Sequence, residues 1–182
     1  MYAATALQMR PQPDFSDVYD EHYRRVLNLC RYLLKSEEAA EDAAHEVFVK
    51  VNKRLDSYDP ALPLSNWLLK IASNHCLDIL RRRGRERRVF GWESEDLPEA
   101  RASGPGPLAQ LLEDERGGRV RQALDRLPDK YRLPLVLTYF NEFSYEEVGE
   151  ALGLGRNTVA TLLYRGKQRL RTELLAVEES TS

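Results

Sequence analysis

Apolar residues in this chain return at every third or fourth position and nowhere alternate, a period that commits the chain to helices. From Phe15 they fall at Val18, Tyr19, Val26, Leu29, Cys30 and Leu33, with His22 in the same register, so one face of a first helix is buried. Ser36 has the chemistry of an N-cap for a second helix, EEAAEDAAHEVFVKVNKRL. Its acidic first turns suit the positive end of the helix dipole. The stretch DSYDPALP reads as a loop, because its prolines and aspartates break the pattern. A third helix follows from about Leu64, with Leu68, Ile71, Ala72, His75 and Ile79 on one stripe and arginines at its end. No segment has the alternation of a strand, and no internal repeat is present.

The period lapses from Glu86 to about Gly106, across VFGWESEDLPEARASGPGP, which is rich in Gly, Pro, Ser and acid. This is read as a linker. Helical spacing resumes at Leu108, Leu111 and Leu112 and again at Val120, Ala123, Leu124 and Leu127. Gly117 and Gly118 stand between, each costing about 1 kcal/mol relative to Ala inside a helix, so a frayed or bent helix is expected there. In SYEEVGEALGLGRNTVATLLYRGKQRL, Ser144 and Glu147 have capping-box spacing and Gly153 suits the left-handed residue that ends a helix. Leu154 and Gly155 then turn into a longer helix packed through Val159, Leu162, Leu163 and Leu170, which makes a helix-turn-helix. The expected fold is all-α: two small helical domains, residues 14–85 and 108–177, joined by an acidic flexible linker, 86–107, with the helix-turn-helix in the second.

Several function classes drop out at this stage. No run among the 182 residues approaches the roughly 18 apolar positions of a membrane span, and MYAATALQMRPQP lacks the apolar core of a signal peptide. A cytoplasmic protein without membrane insertion is expected. Cys30 and Cys76 form no CxxC pair and have no metal-ligand spacing to His22, His45 or His75, so both are read as core fillers and no metal is expected. No nucleophile has a plausible base and no glycine loop cradles phosphate, so neither catalysis nor a cofactor is expected. The formal charge of −2 conceals segregation: RRRGRERR is basic, the linker acidic and the last helix basic again.

The second helix of the turn motif opens on Arg156, Asn157, Thr158 and Thr161, polar side chains that such a helix aims at base edges in a major groove. Arg suits guanine and Asn adenine. Tyr164, Arg165, Lys167, Arg169 and Arg171 are placed to reach phosphates. The arginines from Arg81 to Arg83, with Arg85, Arg87 and Arg88, fit either DNA backbone contact or plain complementation of the helix dipole. Asn74 and Asp78 share their helix, and a polar pocket beside cations is what unstacked bases need. Trp67 is assigned to the core rather than to stacking. Asp42, His45, Glu46 and Lys50 form a polar stripe opposite Val47 and Val51, which by itself is an ordinary wet face.

Taken in order, these residues resemble a known family. Asp42-Ala-Ala-His-Glu-Val-Phe-Val-Lys-Val51 resembles the core-binding helix of extracytoplasmic-function (ECF) sigma factors, and Trp67-Leu-Leu-Lys-Ile-Ala-Ser-Asn74 with Leu77-Asp78 and Arg81-Arg82 is similar to their promoter-melting helix. Leu127-Pro128, Arg132 and the turn motif are similar to their second DNA-binding domain. The resemblance spans about Asp14 to Leu175. It implies that Asp42, His45, Glu46 and Lys50 dock on the clamp coiled coil of core RNA polymerase, with the flap as a second contact. It further implies that the loop from Asp56 to Leu64 and Asn74 hold a flipped minus-ten base, with Asp78 beside them and Arg81, Arg82 and Arg83 on phosphates. The helix from Arg156 would read the minus-thirty-five element, and an anti-sigma protein is an expected partner. The rival reading is a stand-alone helix-turn-helix regulator. Departures from the family pattern are His45 for the usual Gln, Leu64 for a common Phe, and Ala160 and Leu162 where Lys and Arg are frequent. Pro134 and Gly149 are further departures, expected to bend or loosen the second domain.

Overall fold

The computed structural model describes residues 12–87 and 117–179. Helix α1 spans Phe15–Leu34, α2 Glu37–Arg54 and α3 Leu64–Arg87, with a short 3-10 turn at Leu55–Ser57. Then come α4, Gly117–Arg126, α5, Asp129–Tyr139, α6, Tyr145–Leu152, and α7, Arg156–Glu179. No strand occurs among the described residues. Glu86 and Arg87, expected to begin the linker, are the last residues of α3; the rest of the expected linker, 88–107, and the apolar positions at Leu108, Leu111 and Leu112 lie outside the described residues.

The helix ends follow from local chemistry. Asp14 caps α1, its side chain accepting from the Ser16 amide at 2.8 Å, and Ser36 caps α2 by accepting from Ala39. Each such cap is worth about 1 kcal/mol. Between them Lys35 takes the left-handed conformation, φ 57°, and its amide closes on the Arg31 carbonyl. Ser144 and Glu147 form the full reciprocal capping box at the start of α6, and Gly153, φ 72°, ends that helix. Gly117 and Gly118 form the start of α4, and the residues before them, where a frayed or bent helix was expected to enter, lie outside the described residues. Val120, Ala123, Leu124 and Leu127 are its buried face.

In the first module, α1, α2 and α3 pack around Val26, Leu29, Leu33, Val47, Phe48, Leu68, Leu69 and Ala72, all nearly inaccessible. Phe15, Tyr19, Tyr23 and Phe48 form an aromatic group at one end. Cys30 and Cys76 are buried and unpaired, as core fillers should be. In the second module, α7 runs across α4, α5 and α6 through Val159, Leu163 and Leu170. Pro134 lies inside α5 without ending it. Gly149 does not loosen the turn but makes it possible: a Cβ there would stand 2.6 Å from the Leu154 carbonyl oxygen. No described helix is long and apolar enough to cross a membrane.

Candidate functional site

Amphipathic packing decides which side chains are presented. On α2, burial of Ala43, Ala44, Val47, Phe48 and Val51 turns Asp42, His45 and Glu46 outward, while Lys50 is half-buried. His45 meets Tyr23 of α1 through a 3.5 Å contact with its hydroxyl and a tilted ring contact at 5.8 Å. Behind the stripe stands His75 of α3, only 8% exposed. The Lys50 ammonium donates to its Nδ1 at 2.6 Å. Its Nε2 lies 3.2 Å from a Glu46 oxygen but outside hydrogen-bonding geometry, so that contact is an ion pair only when the ring is protonated. Burial first and the Lys50 charge second push the His75 pKa below its ordinary value, against the pull of Glu46 and Asp78.

Along α3 the exposed face carries Asn74, Asp78, Arg81, Arg82 and Arg83 in sequence. Lys50, Arg54, Trp67, Lys70, Asn74 and Asp78 line a single cleft of about 290 Å³ between α2 and α3. Trp67 is half-buried, with its ring 5.2 Å from that of Tyr58 and one side on the cleft. The tryptophan is therefore both core and wall, where a pure core role was expected. The lining comes from the two helices. The loop after Asp56, expected to share the pocket, supplies none of that lining; its Tyr58 packs on Trp67, and the Tyr58 hydroxyl donates to the Leu62 carbonyl. Helical spacing placed Lys50 on one stripe and Asn74 on another; their meeting depends on the rotation of α2 against α3, which one sequence does not reveal.

In the helix-turn-helix, Arg156 and Asn157 are exposed at the start of α7, and Thr158 is half-buried. Arg156 donates through Nε to Glu146 at 2.5 Å, an exposed pair that holds little and releases easily. Hydrogen bonding to its own amide, then Arg156, keeps the Glu146 carboxyl below the usual range. Thr161 corrects the expectation from spacing: it is 2% exposed and its hydroxyl donates to the Asn157 carbonyl. Ala160 and Leu162 are buried too, which accounts for apolar residues at those positions. Tyr164 is half-exposed, Arg165 is half-buried, Lys167 lies over the Tyr139 ring and Arg169 over the Tyr131 ring. Among the described residues no His, Cys, Asp and Glu group could hold a metal ion.

A three-helix module with a polar stripe and an arginine-tipped helix, followed by a helix-turn-helix, is the arrangement of a promoter-reading initiation factor. Residues 18–86 match the family described as Sigma-70 region 2, and residues 117–170 match Sigma-70, region 4. The ECF RNA polymerase sigma factor SigW of Bacillus subtilis is 33% identical over 168 residues, 90% of either chain. SigE of Mycolicibacterium smegmatis is 34% identical over 93% of this chain and 65% of its own length. Among solved structures, the sigma factor RpoE of Bartonella quintana, in complex with the anti-sigma factor NepR, is 25% identical with a TM-score of 0.59, covering 90% of this chain and 98% of that one. CnrH, solved with the cytosolic domain of CnrY, shares the fold at 24% identity and a TM-score of 0.52. This chain belongs to the ECF sigma factors of the sigma-70 family.

Proposed function

We propose that the chain directs core RNA polymerase to particular promoters and helps open their minus-ten element, acting by binding and without catalysis, in the cytoplasm. The exposed stripe of Asp42, His45 and Glu46, with Lys50 at its edge, is the surface for the clamp coiled coil. Asn74 and Asp78 face the melted strand, and Arg81, Arg82 and Arg83 take its phosphates. Residues 14–85 form the clamp and minus-ten domain, 86–107 the strap, and 108–177 the minus-thirty-five domain, which also meets the flap. Arg156, Asn157 and Thr158 read the upstream element. Tyr164, Arg165, Lys167 and Arg169 steady the helix on the backbone, and Thr161 supports the reading row from behind. The cleft beside Trp67 adds Arg54 and Lys70 to the minus-ten set.

One observation carries this reading: a polar stripe and a cationic helix end, presented by one module matched to region 2, precede in order a helix-turn-helix matched to region 4. RpoE of Bartonella quintana was solved with an anti-sigma factor, and a protein inhibitor of that kind is proposed for this chain as well. The clamp assignment is tested with Asp42→Ala combined with Glu46→Ala. Both residues are exposed, so the fold should survive while co-migration with core polymerase is lost. Undiminished co-migration would remove the stripe from the interface.

A further inference from the structure

Behind the stripe assigned to core polymerase stands a ring with an unmet donor. His75 belongs to α3, yet both its nitrogens face side chains of α2. The Lys50 ammonium has only protons to give, so Nδ1, 2.6 Å away, is the acceptor and the neutral ring carries its proton on Nε2. That N–H is buried and has no hydrogen-bond partner. A Glu46 oxygen lies 3.2 Å from it, off the line that a hydrogen bond requires. The Glu46 side chain is 67% exposed, so its carboxylate is free to face outward beside Asp42 or to turn inward onto the ring.

A second proton on the ring changes the part that each neighbour plays. Nδ1 becomes a donor, and the Lys50 ammonium, left beside another cation, has to withdraw. The Nε2–H becomes half of a charged pair and draws Glu46 inward. The other charged groups around the ring leave Glu46 as the carboxylate in position. Asp78 of α3 is held by Arg81 at 2.8 Å, Arg82 of the same helix opposes the added charge, and Arg54 of α2 and Lys70 of α3 stand in the adjoining cleft as further cations. The stripe thereby gives up a carboxylate to the ring and gains a loose ammonium, which reverses the acidic character it presents while the ring is neutral.

We propose that His75 is a positioning residue for the polymerase-binding stripe: neutral, it holds Lys50 back and leaves Glu46 outward for a cationic partner surface, and protonated, it takes Glu46 from that partner and weakens binding to core polymerase. The inference rests on the assignment of Asp42, His45 and Glu46 to that interface. Burial and the Lys50 charge keep the pKa of the ring below its ordinary value, so the change falls on the acid side of 6.5.

The test is the affinity of the full chain for core polymerase between pH 7.5 and about pH 5, over the range in which circular dichroism shows the chain folded. Where only the neutral ring permits tight binding, affinity falls by up to about tenfold per pH unit below the ring's pKa. His75→Leu has no acceptor for Lys50, which is released onto Glu46, so this variant should bind at least about threefold more weakly than the parent at pH 7.5 and change little with pH. His75→Gln keeps an acceptor and takes up no proton. It should rescue the affinity lost in His75→Leu at pH 7.5 and lose at least about threefold less than the parent on acidification, the other groups of the interface being common to both proteins. Equal pH profiles for the parent and His75→Gln, or parental affinity in His75→Leu, would overturn the proposal. Should both variants fail to fold, NMR of the parent decides. The ring nitrogens should report Nδ1 as acceptor and Nε2 as protonated at pH 7.5, and the Glu46 carboxylate resonance should move as the ring gains its second proton. A proton on Nδ1 at pH 7.5, or a Glu46 resonance indifferent to the ring, refutes it. Failure of the parent to bind at pH 7.5 overturns the interface assignment and this inference with it, whereas binding with equal profiles overturns the role of His75 alone.

Discussion

Replacing Gly149 by Ala is the sharpest test of the turn that aims the recognition helix. In an ordinary helix interior the change stabilises by about 1 kcal/mol. Here the new Cβ would stand 2.6 Å from the Leu154 oxygen, whereas an ordinary contact is at least 3.4 Å, so the turn must open by 0.8 Å, the difference of the two. That movement strains both amides on the Gly149 carbonyl, from Gly153 and, at 2.8 Å, from Leu154. Overpacking costs about 1–3 kcal/mol and a weakened hydrogen bond about 1 kcal/mol more, so the net loss is about 1–3 kcal/mol. For a chain of this size the melting temperature should fall by roughly 2–12 °C. Gly118→Ala is the control, because its Cβ meets nothing within 4 Å and should leave Tm unchanged or higher. Calorimetry of the three proteins decides. Gly149→Ala melting at or above the parent, with Gly118→Ala normal, would refute the close approach.

Ser144→Ala removes the hydroxyl that accepts from the Glu147 amide and should destabilise by about 1 kcal/mol, read as a lower Tm; an unchanged Tm would show the capping box to be idle. Arg156→Ala should reduce discrimination at the upstream element by about 1–3 kcal/mol in competition binding of the polymerase complex, and equal loss on every sequence would make it a phosphate contact. Burial holds His75 and His22 below their ordinary pKa, so the unfolded chain takes up their protons first. Stability is therefore complete above the ordinary histidine value near 6.5 and falls as pH drops below it. Tm should decrease from pH 7.5 to 5.5, and His75→Gln should shrink that decrease; an equal decrease would exonerate His75.

Much of this architecture is legible in residue order. Ser36, Ser144 and Gly153 announce helix ends because capping is local chemistry, decided within four residues. The stripe at Asp42 and Glu46 follows from a helical period, and the recognition helix from the turn before it. What escapes is whatever depends on how helices rotate and meet. Thr161 looks like a reader by spacing and is turned inward by packing. Lys50 and His75 look unrelated and touch. Arg132, read only as part of a resemblance, caps a helix of the other module about a hundred residues away in sequence. Gly149 looks like looseness in sequence and is a steric requirement in three dimensions.

The central claim is that this chain reads promoters as part of RNA polymerase. The most direct measurement is the binding of a labelled promoter fragment by the purified chain, by core polymerase and by the two together. Tight, sequence-selective binding with strand opening only in the mixture is the result this account requires. Equally tight and selective binding by the chain alone, unaffected by core polymerase, would contradict it and establish a self-sufficient helix-turn-helix regulator instead.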